Sequence, residues 1–353
     1  MIFLCSTAEN RMPADRLLGS LVQSGSLFWR ILPVTYEALV RRGPPRHPEG
    51  TWIFLDAEIL QPEMAARVAD IHALLAARGP GVRLLNHPLR SCGRLELLRR
   101  LHAAGINRFR AFPADAPLPE DLRFPVFLRN GRDHMGSRTP LLADRTALAA
   151  ALESAQAVGS GLAGWIVTEF EDCRESDGLY RKYAAMRVGD LILPRSLFFS
   201  AEWMLKMPDR LDPELLAQEL DYLARNPHAE TLRRVFDLAG IEFGRVDYAV
   251  ADGALQIWEI NTNPVTLRIN HTWGGARGRT HHEFRDRLQA ALEAIALPSP
   301  HPPLASKAAD LRNQLHRLHL DLLRPALRPW LRQAAAARNA LLGRRAPAAC
   351  TSL

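Results

Sequence analysis

Lysine is nearly absent from this sequence of 353 residues, which has three lysines, Lys182, Lys206 and Lys307, against 42 arginines. This scarcity excludes a phosphate-binding site built on several lysines. Any such contact has to be made by arginine or is missing. Arginine keeps its charge and can bind phosphate through two parallel hydrogen bonds, although the exchange changes the geometry of a fitted site.

Cysteine is also scarce, and the four cysteines are spaced too widely to form a CxxC pair, which excludes the usual zinc and dithiol redox motifs. No Cys–His or Ser–His arrangement indicates a nucleophilic enzyme. No apolar run reaches the roughly 18 residues of a membrane span, and the apolar start Met1–Cys5 is too short for a signal peptide. We therefore expect a cytoplasmic protein with reduced thiols.

The excess of basic over acidic residues is confined to the end of the chain. Residues 299–353 contain nine Lys or Arg and two Asp, a net charge of +7, and the whole chain is also +7, so residues 1–298 sum to zero. This balance argues against nucleic-acid binding by the folded body. The tail is Arg-, Ala- and Leu-rich with a helical pattern, and we expect it to contact solvent, an acidic partner or a membrane surface.

The first third of the chain alternates apolar strands with helical patterns, which predicts an α/β fold with an open sheet. Strands are predicted at Ile2–Leu4, Trp52–Leu55 and Val82–Leu85, and helices at Ala65–Ala77 and Leu95–Ala104. Proline-rich connections predict domain boundaries near residue 113 and residue 298. The predicted domains are therefore 1–112, 113–297 and a linker with a helical tail, 298–353.

Two strands after residue 240 carry the residues of greatest chemical interest. They are Arg245–Val250 and Leu255–Ile260, joined by Ala251-Asp252-Gly253 and followed by Asn261-Thr262-Asn263-Pro264. A two-residue turn would place Asp247 and Glu259 on opposite faces of the hairpin. A three-residue loop would place them on one face.

The apolar residues favour the three-residue loop, because it gathers most of them on the second face. The predicted polar face then consists of Asp247, Ala249, Ile257, Glu259 and Asn261, and the predicted apolar face consists of Val246, Tyr248, Val250, Trp258 and Ile260.

Asp247, Glu259 and Asn261 would then present two carboxylates and an amide oxygen together. Two neighbouring carboxylates repel unless one takes up a proton or a cation lies between them. Magnesium prefers oxygen ligands, commonly one or two carboxylates with phosphate oxygens and water. The three residues therefore form a predicted magnesium site, although the same residues on an exposed hairpin would simply be solvated.

The order Arg-x-Asp, a dozen residues, then Glu-x-Asn-x-Asn-Pro resembles the terminal motif of the ATP-grasp superfamily, in particular carboxylate–amine ligases such as D-alanine–D-alanine ligase and glutathione synthetase. The resemblance covers about residues 82–297 in sequence order. It implies a parallel-sheet domain preceding a two-lobed ATP-grasp fold. It also implies that Asp247, Glu259 and Asn261 hold one or two Mg²⁺ ions and that Arg245 faces the transferring phosphate of ATP.

The resemblance also implies ATP contacts elsewhere in the chain. Arg129 ends a strand, Phe124–Arg129, that in the family ends in a phosphate-binding lysine, and Arg94 follows an Asn-His-Pro helix entry where many members have lysine. The strand Trp165–Phe170 resembles the segment that contacts adenine. The residues expected to contact ATP are Arg94, Arg129, Glu169, Phe170, Asp172 and Lys182.

Arg268 and His271 follow the Asn263-Pro264 turn, where the chain leaves the expected metal site. They are predicted to select an anionic substrate, and an ordinary loop is the alternative. The expected partners are a small-molecule or peptide carboxylate and an amine, and the oligomeric state is not predicted.

Three functions are compatible with these residues. The first is a ligase that activates a carboxylate as an acyl phosphate, which an amine then attacks. The second is a kinase-like phosphotransferase acting on a hydroxyl. The third is a nucleotide-binding protein whose lysine-to-arginine changes have ended catalysis.

Overall fold

The computed structural model describes residues 1–21, 26–133, 136–157, 161–205, 208, 210, 212–266 and 275–298. These residues form a mixed α/β structure with three sheets. Within these ranges, no helix combines the length and the apolar composition needed to span a membrane.

The first sheet is parallel, with strand order β2-β1-β3-β4. The strands are β1 (Ile2–Ser6), β2 (Ile31–Thr35), β3 (Gly50–Phe54) and β4 (Val82–Leu85). The accompanying helices are α1 (Met12–Ser20), α2 (Ser26–Arg30), α3 (Tyr36–Arg42), α4 (Pro62–Ala76) and α5 (Arg94–Ala103). Every residue of the inner strands β1 and β3 is buried, which explains their continuous apolar runs.

A three-stranded antiparallel sheet follows, with order β5-β7-β6. It consists of β5 (Ala111–Pro113), β6 (Val126–Asn130) and β7 (Trp165–Glu169), covered by α6 (Arg145–Ala157). Strand β5 spans the boundary predicted near residue 113 and pairs with β7. The division of the chain into domains stays a prediction.

The third sheet is antiparallel, with order β11-β10-β8-β9. Its strands are β8 (Tyr180–Val188), β9 (Leu191–Ser200), β10 (Phe243–Ala251) and β11 (Ala254–Asn261). Helices α7 (Pro213–Arg225) and α8 (Ala229–Ala239) connect the two hairpins, and α9 (Gly275–Ile295) follows them. The predicted α/β fold class is confirmed, and β10 and β11 form the predicted hairpin. The predicted tail, residues 299–353, lies outside the described residues.

The predicted three-residue loop between β10 and β11 is wrong. Ala251 pairs with Ala254, so the turn has two residues, Asp252 and Gly253, with φ of 47° and 76°. These left-handed values are typical of the tight Asp-Gly hairpin turn.

With this turn alone, Asp247 and Glu259 would lie on opposite faces of the hairpin, but a β-bulge returns them to the same face. Tyr248 pairs with Ile257 but Asp247 pairs with Glu259, so Trp258 is an extra residue on β11. Ile257 joins the buried cluster of Tyr248, and Trp258 instead packs beside Ala249. The predicted faces of Ile257 and Trp258 are therefore exchanged. Asp247 and Glu259 share one face, as predicted, and they are also directly paired, which was not predicted.

Candidate active site

A cavity of about 310 Å³ lies between the second and third sheets. Strands β6, β8, β10 and β11 and the segment after β9 supply its walls. The charged residues that line it are Arg129, Glu171, Arg181, Lys182, Arg245, Asp247 and Glu259, and the aromatic ones are Phe127, Phe170, Tyr180, Trp203 and Trp258. The rings of Phe127 and Phe170 both contact that of Trp203, so the wall has an aromatic part as well as the charged part around Asp247 and Glu259.

Asp247 is buried in the cavity wall between two basic side chains. Arg245 Nε donates to Asp247 Oδ1 at 2.8 Å, and Lys182 Nζ lies 3.6 Å from Oδ2. Arg245 and Lys182 come from adjacent strands, β10 and β8, because Asp247 pairs with Ala184, two residues along from Lys182. The sheet register therefore places one carboxylate between two cations.

Glu259 is neutralised by arginines from two other elements. Arg94, the first residue of α5, donates through Nη2 to Glu259 Oε2 at 2.5 Å, and Arg129 of β6 donates to the same oxygen at 2.8 Å. The side chains are 5%, 6% and 12% exposed for Arg94, Arg129 and Glu259. Burial, together with the charge of Arg94, lowers the pKa of Arg129 to about 10, so it stays protonated at neutral pH.

Asn261 lies two residues beyond Glu259 on β11, and its Oδ1 accepts a hydrogen bond from the backbone N–H of Asn263 at 2.8 Å. The structure thus brings Asp247 and Glu259 opposite each other, with Asn261 on the same strand as Glu259. Asn261 holds the turn that follows the strand.

The segment after β11 is also held by hydrogen bonds to the connection that follows β3, and we call this set of bonds the grip. Glu58 accepts hydrogen bonds from the backbone N–H of Thr262, at 2.8 Å, and from its hydroxyl. Asp56 accepts one from Asn263 Nδ2 at 3.0 Å. Burial raises the pKa of Asp56, although the hydrogen bonds that its own carboxylate accepts act to lower it. These contacts could not be predicted from the sequence, because they join positions about 200 residues apart.

Three of the predicted ATP contacts line the cavity, namely Arg129, Phe170 and Lys182. Arg94 reaches the cluster through Glu259. Glu169 and Asp172 are not among the lining residues, and their carboxylates bind other groups.

Glu169 is 1% exposed and accepts from Arg110 Nε and Nη2 at 2.9 and 2.6 Å, with further bonds from the backbone N–H groups of Arg110 and Arg123. These partners hold the pKa of Glu169 below its usual value although burial opposes them. Asp172 binds Arg174 at 3.0 Å. The lining carboxylate of this segment is Glu171, which was not predicted.

Trp203 is the most informative lining residue missed by the sequence analysis. Its ring lies 5.1 Å from that of Phe127 and 5.6 Å, edge-on, from that of Phe170. Leu205 and Trp258 add further apolar surface to the cavity. Such rings suit the flat face of a base, because aromatic stacking tolerates any base. The only sequence signal was a Trp in a loop directly after a long strand.

The chemistry of these side chains can be tested against a magnesium ion. Within the described residues, no group of three or more His, Cys, Asp or Glu side chains is suited to hold a metal ion. Two opposed carboxylates match the usual protein share of a magnesium site whose other ligands are phosphate oxygens and water. The residues thus fit magnesium that arrives with a polyphosphate better than the bare ion.

The charge of the cluster agrees with this fit. Asp247 and Glu259 contribute two negative charges, and the four cations Arg94, Arg129, Lys182 and Arg245 contribute four positive charges, a net charge of +2. Magnesium-bound ATP carries roughly −2 at neutral pH. The two charges cancel when the cluster and the magnesium nucleotide meet.

Arg268 and His271, the predicted substrate residues, lie outside the described residues. The described chain stops at Thr266, whose carbonyl accepts a hydrogen bond from Arg195 at 3.1 Å, and resumes at Gly275. Their role stays a prediction.

Several solved structures are similar to this chain in fold. The chain is similar to a RimK domain protein, described as ATP-grasp, from Sphaerobacter thermophilus, with 15% identity, 80% of this chain and 98% of that chain covered, and a TM-score of 0.44. No protein-family model matches the sequence, and no curated protein matches it.

Particular ligases are also similar to the chain. D-alanine–D-alanine ligase from Bacillus anthracis complexed with ATP matches at 13% identity over 90% of this chain and 99% of that chain, with a TM-score of 0.49. An L-amino acid ligase from Bacillus licheniformis matches at 14% identity over 83% and 74%, with a TM-score of 0.41. At these values the likeness concerns the fold alone and carries no argument about the reaction.

Proposed function

We propose that this protein is an ATP- and magnesium-dependent ligase of the ATP-grasp type, which joins a carboxylate to an amine through an acyl phosphate. The observation that supports the proposal most is the pair Asp247 and Glu259, opposed across two strands in a cavity with four cations around them. That arrangement suits a magnesium-bound triphosphate in both charge and ligand type.

The two parts of the cavity wall suggest how the nucleotide lies. The base occupies the apolar part beside Phe170 and Trp203, and the phosphates extend toward Arg129, Lys182 and Arg245. As the phosphates bind, they replace Asp247 and Glu259 as partners of the basic side chains. Asp247 and Glu259, with Asn261, are the residues that would hold magnesium, which would neutralise phosphate charge and orient the triphosphate.

The proposed reaction needs no nucleophilic side chain. The γ-phosphoryl group passes from ATP to an oxygen of the substrate carboxylate and ADP leaves. The amine nitrogen then attacks the carbonyl carbon, the C–N bond forms, and phosphate and a proton are released. Cys173 lines the cavity, but burial raises its pKa to about 12, so it stays a protonated thiol. Catalysis would rest on positioning and charge neutralisation, with Arg245 beside the transferred group.

Measuring ADP release tests this proposal. The purified protein is given MgATP with a matrix of carboxylic acids and amines, and the products are identified by mass spectrometry. The proposal expects ADP and phosphate only when an acid and an amine are both present, with an amide as product. If nucleotide binds but no acid–amine pair gives ADP, the ligase proposal is wrong, and a stable phosphoester would identify the kinase-like alternative.

A second candidate is a nucleotide-binding protein without turnover. The observation that favours it is that the two positions resembling phosphate-binding lysines are arginines, Arg94 and Arg129, and both are bonded to Glu259. The variants Arg94→Lys and Arg129→Lys separate the two candidates. A ligase releases ADP in the wild type, whereas a protein whose lysine-to-arginine changes have ended catalysis releases none in the wild type and regains ADP release only where lysine is restored.

A further inference from the structure

Strand β11 forms an edge of the third sheet in the described part of the chain, so the backbone groups on its outer side meet no further strand. The bulge at Trp258 lies on this strand. An even register would pair Asp247 with Trp258. Glu259 would then lie opposite Val246, whose side chain belongs to the apolar core. Because a bulge disrupts the ladder and an edge strand has a neighbour on one side only, the position of Glu259 depends on what holds the bulge from outside.

Asn107 takes the place of a neighbouring strand at Ile257, the residue directly before the bulged Trp258. Its Nδ2 donates to the Ile257 carbonyl at 3.0 Å, and its Oδ1 accepts from the Ile257 N–H at 2.8 Å. A carboxamide offers a donor and an acceptor side by side, as a peptide group does. Asn107 is 2% exposed and Ile257 is fully buried, so solvent does not readily replace these two bonds.

The end of α5 holds Asn107 in place. The backbone N–H of Asn107 donates to the Leu101 carbonyl at 3.2 Å, and its backbone carbonyl lies 3.1 Å from His102 Nδ1. The next residue, Arg108, donates its backbone N–H to Gln256 Oε1 at 2.9 Å. The connection after α5 therefore binds β11 at two successive residues, directly before the bulge.

Two further contacts hold the bulged residue Trp258. Its ring stacks on that of Phe109, with 4.9 Å between the ring centres and 18° between the ring planes. Its carbonyl accepts a hydrogen bond from Arg129 Nη1 at 3.3 Å. Phe109 is fully buried and follows Asn107 by two residues. One short segment thus contacts both Ile257 and the bulged residue.

The bulge decides where the carboxylate of Glu259 lies. In the bulged register Glu259 pairs with Asp247, and its carboxylate accepts hydrogen bonds from Arg94 and Arg129. Without Asn107, the buried N–H and carbonyl that its side chain binds would lose their partners, which is costly. The strand would have to move to satisfy them, and Glu259, two residues further along, would move with it.

We propose that Asn107 and Phe109 are positioning residues for Glu259, because they hold the bulge that keeps this carboxylate opposite Asp247. Neither side chain lines the cavity, so both act through β11 rather than by touching a ligand. Their influence on magnesium binding rests on the proposed function. Their control over the position of Glu259 does not, and it can be measured without any ligand.

A double-mutant cycle in the ligand-free protein tests the position of Glu259. Melting temperatures are measured for the wild type, Asn107→Ala, Glu259→Gln and the double variant. Glu259→Gln should lower the melting temperature of the wild type, because it removes the partner of two buried arginines. In the Asn107→Ala background this fall should be smaller by about half, since residues that share one arrangement do not act additively. Equal falls in the two backgrounds overturn the inference.

Asn86→Ala is the matched control. Asn86 is 1% exposed, and its side-chain amide also binds backbone groups, with Nδ2 donating to the carbonyls of Phe54 and Phe243 at 3.0 and 2.8 Å. Its loss should destabilise the protein without releasing the bulge, so the effects of Asn86→Ala and Glu259→Gln should add. A purely structural role of Asn107 predicts the same additivity for Asn107→Ala.

Calorimetric titration with a non-hydrolysable ATP analogue connects this position to the proposed function. The ratio of affinities with and without Mg²⁺ should be at least roughly tenfold in the wild type. It should fall to near one in Asn107→Ala and keep its wild-type value in Asn86→Ala. If the wild type shows no magnesium effect but the cycle shows coupling, the proposed function fails and the inference about Glu259 stands. If the wild type shows the effect and Asn107→Ala keeps it in full, the inference fails alone.

Phe109→Leu covers the case in which Asn107→Ala does not fold. It keeps an apolar side chain but removes the ring that stacks on Trp258. Both measurements should therefore change in the same direction as for Asn107→Ala, by a smaller amount. If Asn107→Ala does not fold, additive melting losses for Phe109→Leu and Glu259→Gln overturn the inference.

Discussion

Removal of the Glu259 carboxylate should destabilise the protein in the absence of any ligand. Arg94 and Arg129 both donate to Glu259 Oε2, and their side chains are 5% and 6% exposed. In Glu259→Gln these two buried cations lose their counter-charge. Breaking a buried ion pair by removing one partner costs about 3–5 kcal/mol.

The lower end of that range applies here because glutamine keeps the size of the side chain and one acceptor oxygen. We therefore expect a loss of about 3 kcal/mol in the free energy of unfolding. At about 2 °C per kcal/mol for a chain of this length, the melting temperature should fall by about 6 °C.

Urea unfolding and thermal melting of the ligand-free protein measure this loss. Glu96→Gln is the matched control, because Glu96 lies on the same helix as Arg94 and pairs with Arg100 in an exposed position, 52% and 47% exposed. The control should lose less than about 1 kcal/mol. Equal stability of Glu259→Gln and Glu96→Gln would show that the buried cluster is not held by Glu259.

Three further predictions follow from the contacts. Glu169→Gln should cost about 3 kcal/mol at pH 7. The folded-state pKa of Glu169 is lowered, so its contribution to stability is complete above the unfolded pKa and disappears as the pH falls through the folded pKa. The difference in unfolding free energy between wild type and Glu169→Gln, measured in urea, should therefore be smaller at pH 3 than at pH 7. The exposed control Glu153→Gln should match the wild type at both pH values. Trp203→Ala should weaken binding of an ATP analogue by roughly tenfold in calorimetry through lost stacking, and an unaltered affinity would remove Trp203 from the base site. Glu58→Gln can accept only one of the two hydrogen bonds from Thr262, so it should lower unfolding free energy by about 1–2 kcal/mol and weaken analogue binding; a loss of stability without weaker binding would make the grip purely structural.

Local signals in the sequence predicted much of the fold. Apolar residues at helical spacing mark α4 and α5, and a glycine-containing turn between two apolar runs marks the hairpin of β10 and β11. Strand β2 was missed because Pro33 interrupts its apolar run. The strand lies at the edge of its sheet, where a missing N–H donor is tolerated.

The shared face of Asp247 and Glu259 was predicted correctly from an incorrect loop, and their direct pairing was not predicted. The Asp-Gly signal for a two-residue turn is present in the sequence, but the compensating bulge at Trp258 is not. Trp258 stacks on Phe109 at 4.9 Å between ring centres, a contact made with a residue about 150 positions earlier. A bulge that depends on such packing cannot be read from the pattern of one hairpin.

The ion pairs of the site could not be predicted from the sequence, because they also depend on contacts between distant parts of the chain. Arg94 and Arg129 could be named as basic residues near phosphate, but their common bond to Glu259 requires α5 and β6 to meet β11. Likewise Glu169 was predicted to lie near the nucleotide, but it binds Arg110, the residue directly before β5. Motif order gives the identity of such residues, and the tertiary fold decides their partners.

Calorimetric titration with a non-hydrolysable ATP analogue, with and without Mg²⁺, tests the role of the opposed carboxylates most directly. The wild type should bind the analogue at least tenfold more tightly with Mg²⁺, and Asp247→Asn should lose most of that difference. Equal affinity with and without Mg²⁺ in the wild type, or an unchanged magnesium effect in Asp247→Asn, would contradict a magnesium–nucleotide site at Asp247 and Glu259.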